Sequence, residues 1–421
     1  MRDGILNDQV VPLSLMESFD HFEQVYLAYK ESQSILDYVT QVYGAVKVVQ
    51  LFKHMAGNQP PDTAVKNVLG ITLNTLYDNW HFYMKSQIWA KINGMPSPDR
   101  YGKSLEKDAS KTAVSPDEKT VAIIKNGSLE LFDVATKSKR NVLNRHFEAQ
   151  GSGLAWSPDG NFLAFTASRE GEYGLYTLEV KNLRLIECPL SGLPVVYSPA
   201  WSPDQRYIVF SGFDEKTVDL YRYELATKHL DRLTDNPASE SWASYSPDQK
   251  SLYYLSEDGG DTQIEKAALG ENGLPDGPPV AVGKDLGTVA CVRLTKDSIF
   301  FTSNRDKGIF NLFKMNLEGG SLTQLTHCFA DLLSVSPTAD ESVFYSVLYQ
   351  KAHESLYAFP AGKLEQNENP PFDLSYAANS FQDAAKIIPE STVKNSPDNF
   401  ELPSNSDRDR DEPEVITEKK P

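Results

Sequence analysis

Residues 154–160 read LAWSPDG, and residues 199–205 read PAWSPDQ. The Ser-Pro-Asp core starts at Ser115, Ser157, Ser202 and Ser246, then reappears in altered form as TKD at Thr295 and SPTAD at Ser336. The steps are 42, 45, 44, 49 and 41 residues. A repeat of about 45 residues written in short strands is the mark of a β-propeller, with one four-stranded sheet per repeat. Six copies predict a mainly β fold, a six-bladed propeller over residues 101–361.

Within a copy the first strand ends in LAW, PAW or ASY, and Ser-Pro-Asp then makes a tight turn. Proline presets φ near −65° at the second position, and the aspartate bonds local amides. The second strand follows as KTVAII, NFLAFTAS, RYIVFSG, KSLYYLS, DSIFFTS and ESVFYSV, apolar on both faces as a sheet packed between two neighbours must be. Third strands such as YGLYTLEV and VDLYRYEL alternate more clearly, and a fourth follows in LRLIECPL, HLDRLTD and SLTQLTH. The sixth copy lacks a fourth strand, because AGKLEQNENPPFD after Pro360 is poor in β-formers. The segment YGKSLEK at 101–107 is therefore expected to pair there and close the ring, removing an exposed sheet edge.

The first hundred residues carry helical periodicity instead. Apolar residues in 22–43 recur at i, i+3 and i+4, Gly44 is a stop, and AVKVVQLFKHM follows. A third helix is expected over DTAVKNVL, with Asp62 as N-cap and Gly70 as C-terminal cap, and a fourth after Thr72, running to about Ile92. The aromatic residues Tyr26, Tyr29, Tyr38, Tyr43, Trp80, Tyr83 and Trp89 have core-like spacing. From residue 362 to 421 the chain turns to Asn, Pro, Ser, Asp and Glu, and disorder is expected of this acidic, polar tail.

With 58 acidic against 41 basic residues, the formal charge is −17, which argues against nucleic acid or an anionic membrane surface as partner. The three cysteines, Cys188, Cys291 and Cys328, suggest neither a disulfide framework nor a thiolate metal site. No apolar run is long enough for a transmembrane helix, and the first twenty residues lack the pattern of an export signal.

AWSPDG followed by FLAFTASREGEYGLYTL, and FFTSNRDKGIFNLFKM in the fifth copy, resemble the TolB-like, or WD-like repeat, propeller family. The fifth and sixth copies depart from the intact turn. This resemblance implies a bacterial periplasmic or cell-envelope protein and a protein or peptide partner. MRDGIL, YLAYKESQSILDYVTQVYG and LGITLNTLYDNWHFYMK resemble the C-terminal helical part of a gluzincin-type, peptidase MA-like domain. Residues 1–100 would then be a remnant of that domain. The zinc-binding H-E-x-x-H helix of such relatives precedes the matched part, and none of the seven histidines here forms an i, i+4 pair. No metal ligand carries over, and zinc is expected only with the absent part.

No catalytic set is expected: there is no G-x-S-x-G elbow, and EDGGDTQ and LEGGSLTQL read as hairpin turns rather than phosphate loops. One constellation remains. Asp117, Asp159, Asp204, Asp248, Asp297 and Asp340 recur once per blade and must ring one face of the disc. Each either satisfies its own turn, or together they favour a basic peptide or cation at the channel mouth. Trp156, Trp201 and Trp242 are expected in the core between blades. The leading expectation is a non-catalytic, protein- or peptide-binding propeller without a cofactor; the alternative is a fragment of a zinc metallopeptidase.

Overall fold

Alternating turn and strand signals close into a ring of six antiparallel sheets in the computed structural model, which describes residues 1–11, 22–143, 146–351 and 353–364. Blade I is built from Ala109–Val114, Thr120–Lys125, Ser128–Asp133 and Lys139–Asn141. Blade II runs from Phe147–Trp156 to Arg184–Cys188, blade III from Val195–Trp201 to Leu230–Arg232, and blade IV from Ser239–Tyr245 to Val280–Ala281. Blade V runs from Val289–Leu294 to Thr323–Gln324. In every blade the chain starts on the channel side and works outward. Second strands are buried on both faces, as their unbroken apolar runs require: the neighbours Ala122 and Ile123, Ala164 and Phe165, Val209 and Phe210, and Phe300 and Phe301 have no exposed surface.

Blade VI is closed from the other end of the array. Its inner positions are Asp331–Leu332 and Ser336–Pro337, followed by Val343–Gln350 and His353–Pro360. The outermost strand is Lys103–Lys107, antiparallel to His353–Pro360 with Ser104 opposite Tyr357 and Lys107 opposite Ser355. This is the closure expected from the missing fourth strand. The approach is close at Gly102, where a Cβ would lie 2.3 Å from the Ala358 carbonyl oxygen. Glu106 ties the closing strand to blade I through Lys125, 2.7 Å away, and Lys139. Burial opposes its charge, but the two ammonium groups win and hold its carboxyl below the usual range.

The helices are α1 (Arg2–Leu6), α2 (Phe22–Tyr43), α3 (Ala45–Ala56), α4 (Pro61–Leu69) and α5 (Leu73–Ile92). Thr72 caps α5 as expected, its hydroxyl accepting from the Thr75 amide at 3.1 Å. Gly70 ends α4 in the left-handed region, which glycine enters without a Cβ penalty. The expected cap Asp62 lies instead in the first turn of α4: Pro61, whose fixed φ suits a first helical residue, starts the helix two positions earlier than a cap at Asp62 implies.

The chain divides into two compact units, one holding Met1–Ile35 and the chain from Thr72 through the propeller, the other built in its described part from Leu36–Ile71. In the first, buried Trp80 donates its indole N–H to the Ser34 hydroxyl at 3.0 Å. Arg2 pairs with Asp331, and the Lys351 amide donates to Asp3 at 2.8 Å, so α1 docks where the second and third strands of blade VI join. In the second, Lys47 donates to the Val68 carbonyl at 3.0 Å, and Leu51, Ala64, Val65 and Val68 are buried. Aromatic spacing overstated burial here: Tyr38 and Trp80 are core, whereas Tyr29 and Trp89 are 72% and 57% exposed. The Tyr26 side chain lies outside the described residues. The tail expected from 362 begins with a short turn, Ala361–Leu364, that buries Leu364; the remainder of that expectation lies outside the described residues.

Candidate functional site at the channel mouth

Each Ser-Pro-Asp turn is a closed hydrogen-bond unit. In blade II the Ser157 hydroxyl donates to Asp159 Oδ1 at 2.6 Å and accepts from the Phe162 amide at 2.9 Å, while Asp159 accepts from the Asn161 amide at 3.0 Å. Ser115 with Asp117, Ser202 with Asp204 and Ser246 with Asp248 repeat this arrangement. In blade VI the turn hydroxyl is Thr338, bonded to Asp340, and not the expected Ser336, which lies two residues earlier and accepts from the Val114 amide at 3.0 Å. The Ser115 hydroxyl beside Asp117, the Ser246 hydroxyl beside Asp248 and the Ser342 amide beside Asp340 hold those carboxyls below their usual range. At Asp159 burial pushes upward, but the Ser157 hydroxyl and Asn161 outweigh it.

Asp297 does not join them. Its turn in blade V is two residues shorter: the Thr295 amide reaches the Ser298 carbonyl at 2.9 Å, and the Thr295 hydroxyl turns to Glu341 at 2.6 Å. Asp297 forms no hydrogen bond or ion pair among the described residues.

Inside this rim lies a pocket of about 510 Å³ to which all six blades contribute, which places it on the channel axis. Its walls include Pro116, Pro158, Pro199, Pro247 and Pro337, together with Trp156 and Trp201. The two indoles also stitch the ring. Trp156 donates to the Ala113 carbonyl of blade I at 2.9 Å, and Trp201 to the Ala155 carbonyl of blade II at 3.0 Å. Both are half-buried, so the expectation of core residues between blades holds for one side of each ring only. None of the six aspartates lines the pocket, and no other carboxylate does; its charged lining residues are Arg293 and Lys296.

Trp242 is displaced from the other two tryptophans. It sits three residues before the first-strand end, at φ 55°, in a bulge between Ser241 and Ser244. Left-handed backbone is rare for so bulky a side chain. Its ring packs on the clusters between blades IV and V and between V and VI. Arg293 of blade V stacks over it at 4.6 Å from the ring centroid, and Lys111 of blade I approaches to 5.9 Å. Blades I and IV face each other across a six-membered ring, so Lys111 and Trp242 meet across the channel. Repeat reading missed these cations because they stand where the repeat is degenerate, in CVRLTKD and ASKTAV.

Residues 190–367 match the PD40 family model, the TolB beta propeller domain. The match covers blades III to VI and does not reach the helices of residues 1–100. Among solved structures, a protein assigned as TolB from Agrobacterium tumefaciens is 19% identical over 61% of this chain and 90% of its own, with a TM-score of 0.48. TolB from Acinetobacter baumannii is 16% identical over 69% and 71%, with a TM-score of 0.43. An oligogalacturonate lyase in complex with manganese is 12% identical over 61% and 77%, with a TM-score of 0.44. No curated protein matches the chain. No group of three or more His, Cys, Asp or Glu side chains among the described residues is placed to hold a metal ion. No described helix is long and apolar enough to cross a membrane.

Proposed function

We propose that the propeller is a non-catalytic binding module of a bacterial cell-envelope protein, and that it holds a protein or peptide segment in the mouth of its channel. The observation that carries this reading is the pocket assembled from all six blades. Its volume of about 510 Å³ suits a few inserted side chains. Prolines and indoles offer apolar contact that loses little conformational freedom on binding, so more of the contact energy appears as affinity. The match to the TolB beta propeller domain supports the module and, through its bacterial relatives, the envelope.

The test is selection of a random displayed-peptide library on the full chain, followed by titration against Ala339→Trp. Ala339 is exposed and lines the pocket, so the indole fills the mouth without touching the core. Enriched peptides are expected to lose tenfold or more in affinity to this variant. Peptides that bind both proteins equally, or no enrichment, overturn the reading. Fractionation of the native host, with the chain recovered in the cytosol, would overturn the envelope assignment.

A further inference from the structure

We infer that the segment received at this mouth is acidic, and that Arg293 and Lys296 take its carboxylate, with Lys111 adding positive charge from across the channel. The inference rests on the mouth being the binding site and assigns the chemistry of its occupant. Three cations converge on the channel, and none has a carboxylate within 4 Å among the described residues. Arg293 uses one N–H on the neighbouring Val292 carbonyl, at 3.1 Å, which leaves most of its donors for a ligand. Its guanidinium carbon lies 4.6 Å from the Trp242 ring centroid, and a planar guanidinium matches a carboxylate with two parallel hydrogen bonds. Lys296 is exposed in the turn beside it.

The rim carboxylates keep their charge but stand outside the pocket lining. Five rim aspartates are bonded within their own turns, and Glu341 is paired with Lys314 at 2.5 Å and accepts from Thr295. Against the inference stands the formal charge of −17, which repels an acidic ligand at long range. At physiological salt that repulsion is screened beyond about 8 Å, whereas contact pairs inside the pocket are screened much less.

The test uses the full chain and three capped hexapeptides, of glutamate, glutamine and lysine, titrated by calorimetry at two salt concentrations. Hexaglutamate is expected to bind more tightly than the other two, and more weakly as salt rises. Its affinity should fall tenfold or more in Arg293→Gln/Lys296→Gln and about threefold in Lys296→Gln alone. Lys296→Gln is the safeguard against misfolding, since its side chain is exposed and its melting temperature should match wild type. Lys307→Gln, in the hairpin at the other end of blade V, should leave binding within twofold. Preferential hexalysine binding that Ala339→Trp abolishes overturns the acidic assignment while leaving the mouth as a site. Hexaglutamate binding indifferent to Arg293 and Lys296, or absent, overturns the assignment; binding indifferent to Ala339→Trp overturns the mouth itself.

Discussion

Glu240 offers the sharpest test of the packing between blades III and IV. It sits in the inner strand of blade IV with no exposed surface, accepting from Asn236 at 2.6 Å and from the Thr234 hydroxyl at 3.0 Å. No cation neutralises it, because the nearby Arg232 is taken by Asp219. Burial is the main reason its pKa rises from 4.5 to about 7, with the Asp219 and Glu265 charges adding to it. A carboxyl with a raised folded-state pKa binds its proton more tightly in the native than in the unfolded chain. Native stability from this group is therefore complete below pH 4.5, declines as pH rises toward 7 and is lost above it. At about 1.4 kcal/mol per unit, the ceiling on the loss is about 3 kcal/mol. Glu240→Gln imitates the protonated form: its carbonyl can accept from Asn236 while its amide faces the Thr234 oxygen. Urea titrations followed by tryptophan fluorescence at pH 4.5, 6, 7 and 8 should find the variant near wild type at the acid end. At pH 8 it should be more stable than wild type by about 2–3 kcal/mol. Other titrating groups cancel in this difference. A stability difference that stays constant across the four pH values would refute the reasoning.

Trp201→Ala is expected to cost about 3 kcal/mol, the low end for a large aromatic truncation, because one side of the ring faces the mouth; a loss under about 1 kcal/mol by denaturant titration would mean that the indole does not join blades II and III. Ser157→Ala strips the Phe162 amide and Asp159 of a shared partner and should cost about 1–3 kcal/mol by the same assay. Asp297→Ala, in the shortened turn, should change stability by less than about 0.5 kcal/mol, and equal losses at the two sites would contradict the difference between the turns. Gly102→Ala drives a methyl against the Ala358 carbonyl and should cost about 1–3 kcal/mol, with hydrogen exchange accelerating first in 103–107 and 353–360; unchanged protection there would mean that the closing strand is not anchored as described.

How much of this was legible in the chain varies with how local the determinants are. The Ser-Pro-Asp turns were readable because each is complete within about six residues: the hydroxyl, the carboxylate and the amides they bond are near neighbours. Blade VI keeps the turn at Thr338, two residues after the serine that spacing picked out, because threonine supplies the same hydroxyl. Blade V lost two residues, and with them the geometry that Asp297 was expected to share. Spacing alone does not distinguish a turn that keeps its hydrogen bonds from one that does not. Trp89 illustrates the same limit among the helices, where periodicity defines a face but not what covers it.

By itself the sequence determined the number of blades, their order, the chemistry of four turns and the return of residues 103–107 to close the ring. All of these follow from local turn chemistry, a period-2 apolar pattern and the count of strands per repeat. Tertiary structure alone decided which cations share the channel. That depends on Lys111, Trp242 and Arg293, which are far apart in the chain and meet only because ring closure sets blade I opposite blade IV. It depends equally on the bulge that turns Trp242 into the channel, since a strand's faces are set by register, and one extra residue changes which way every later side chain points.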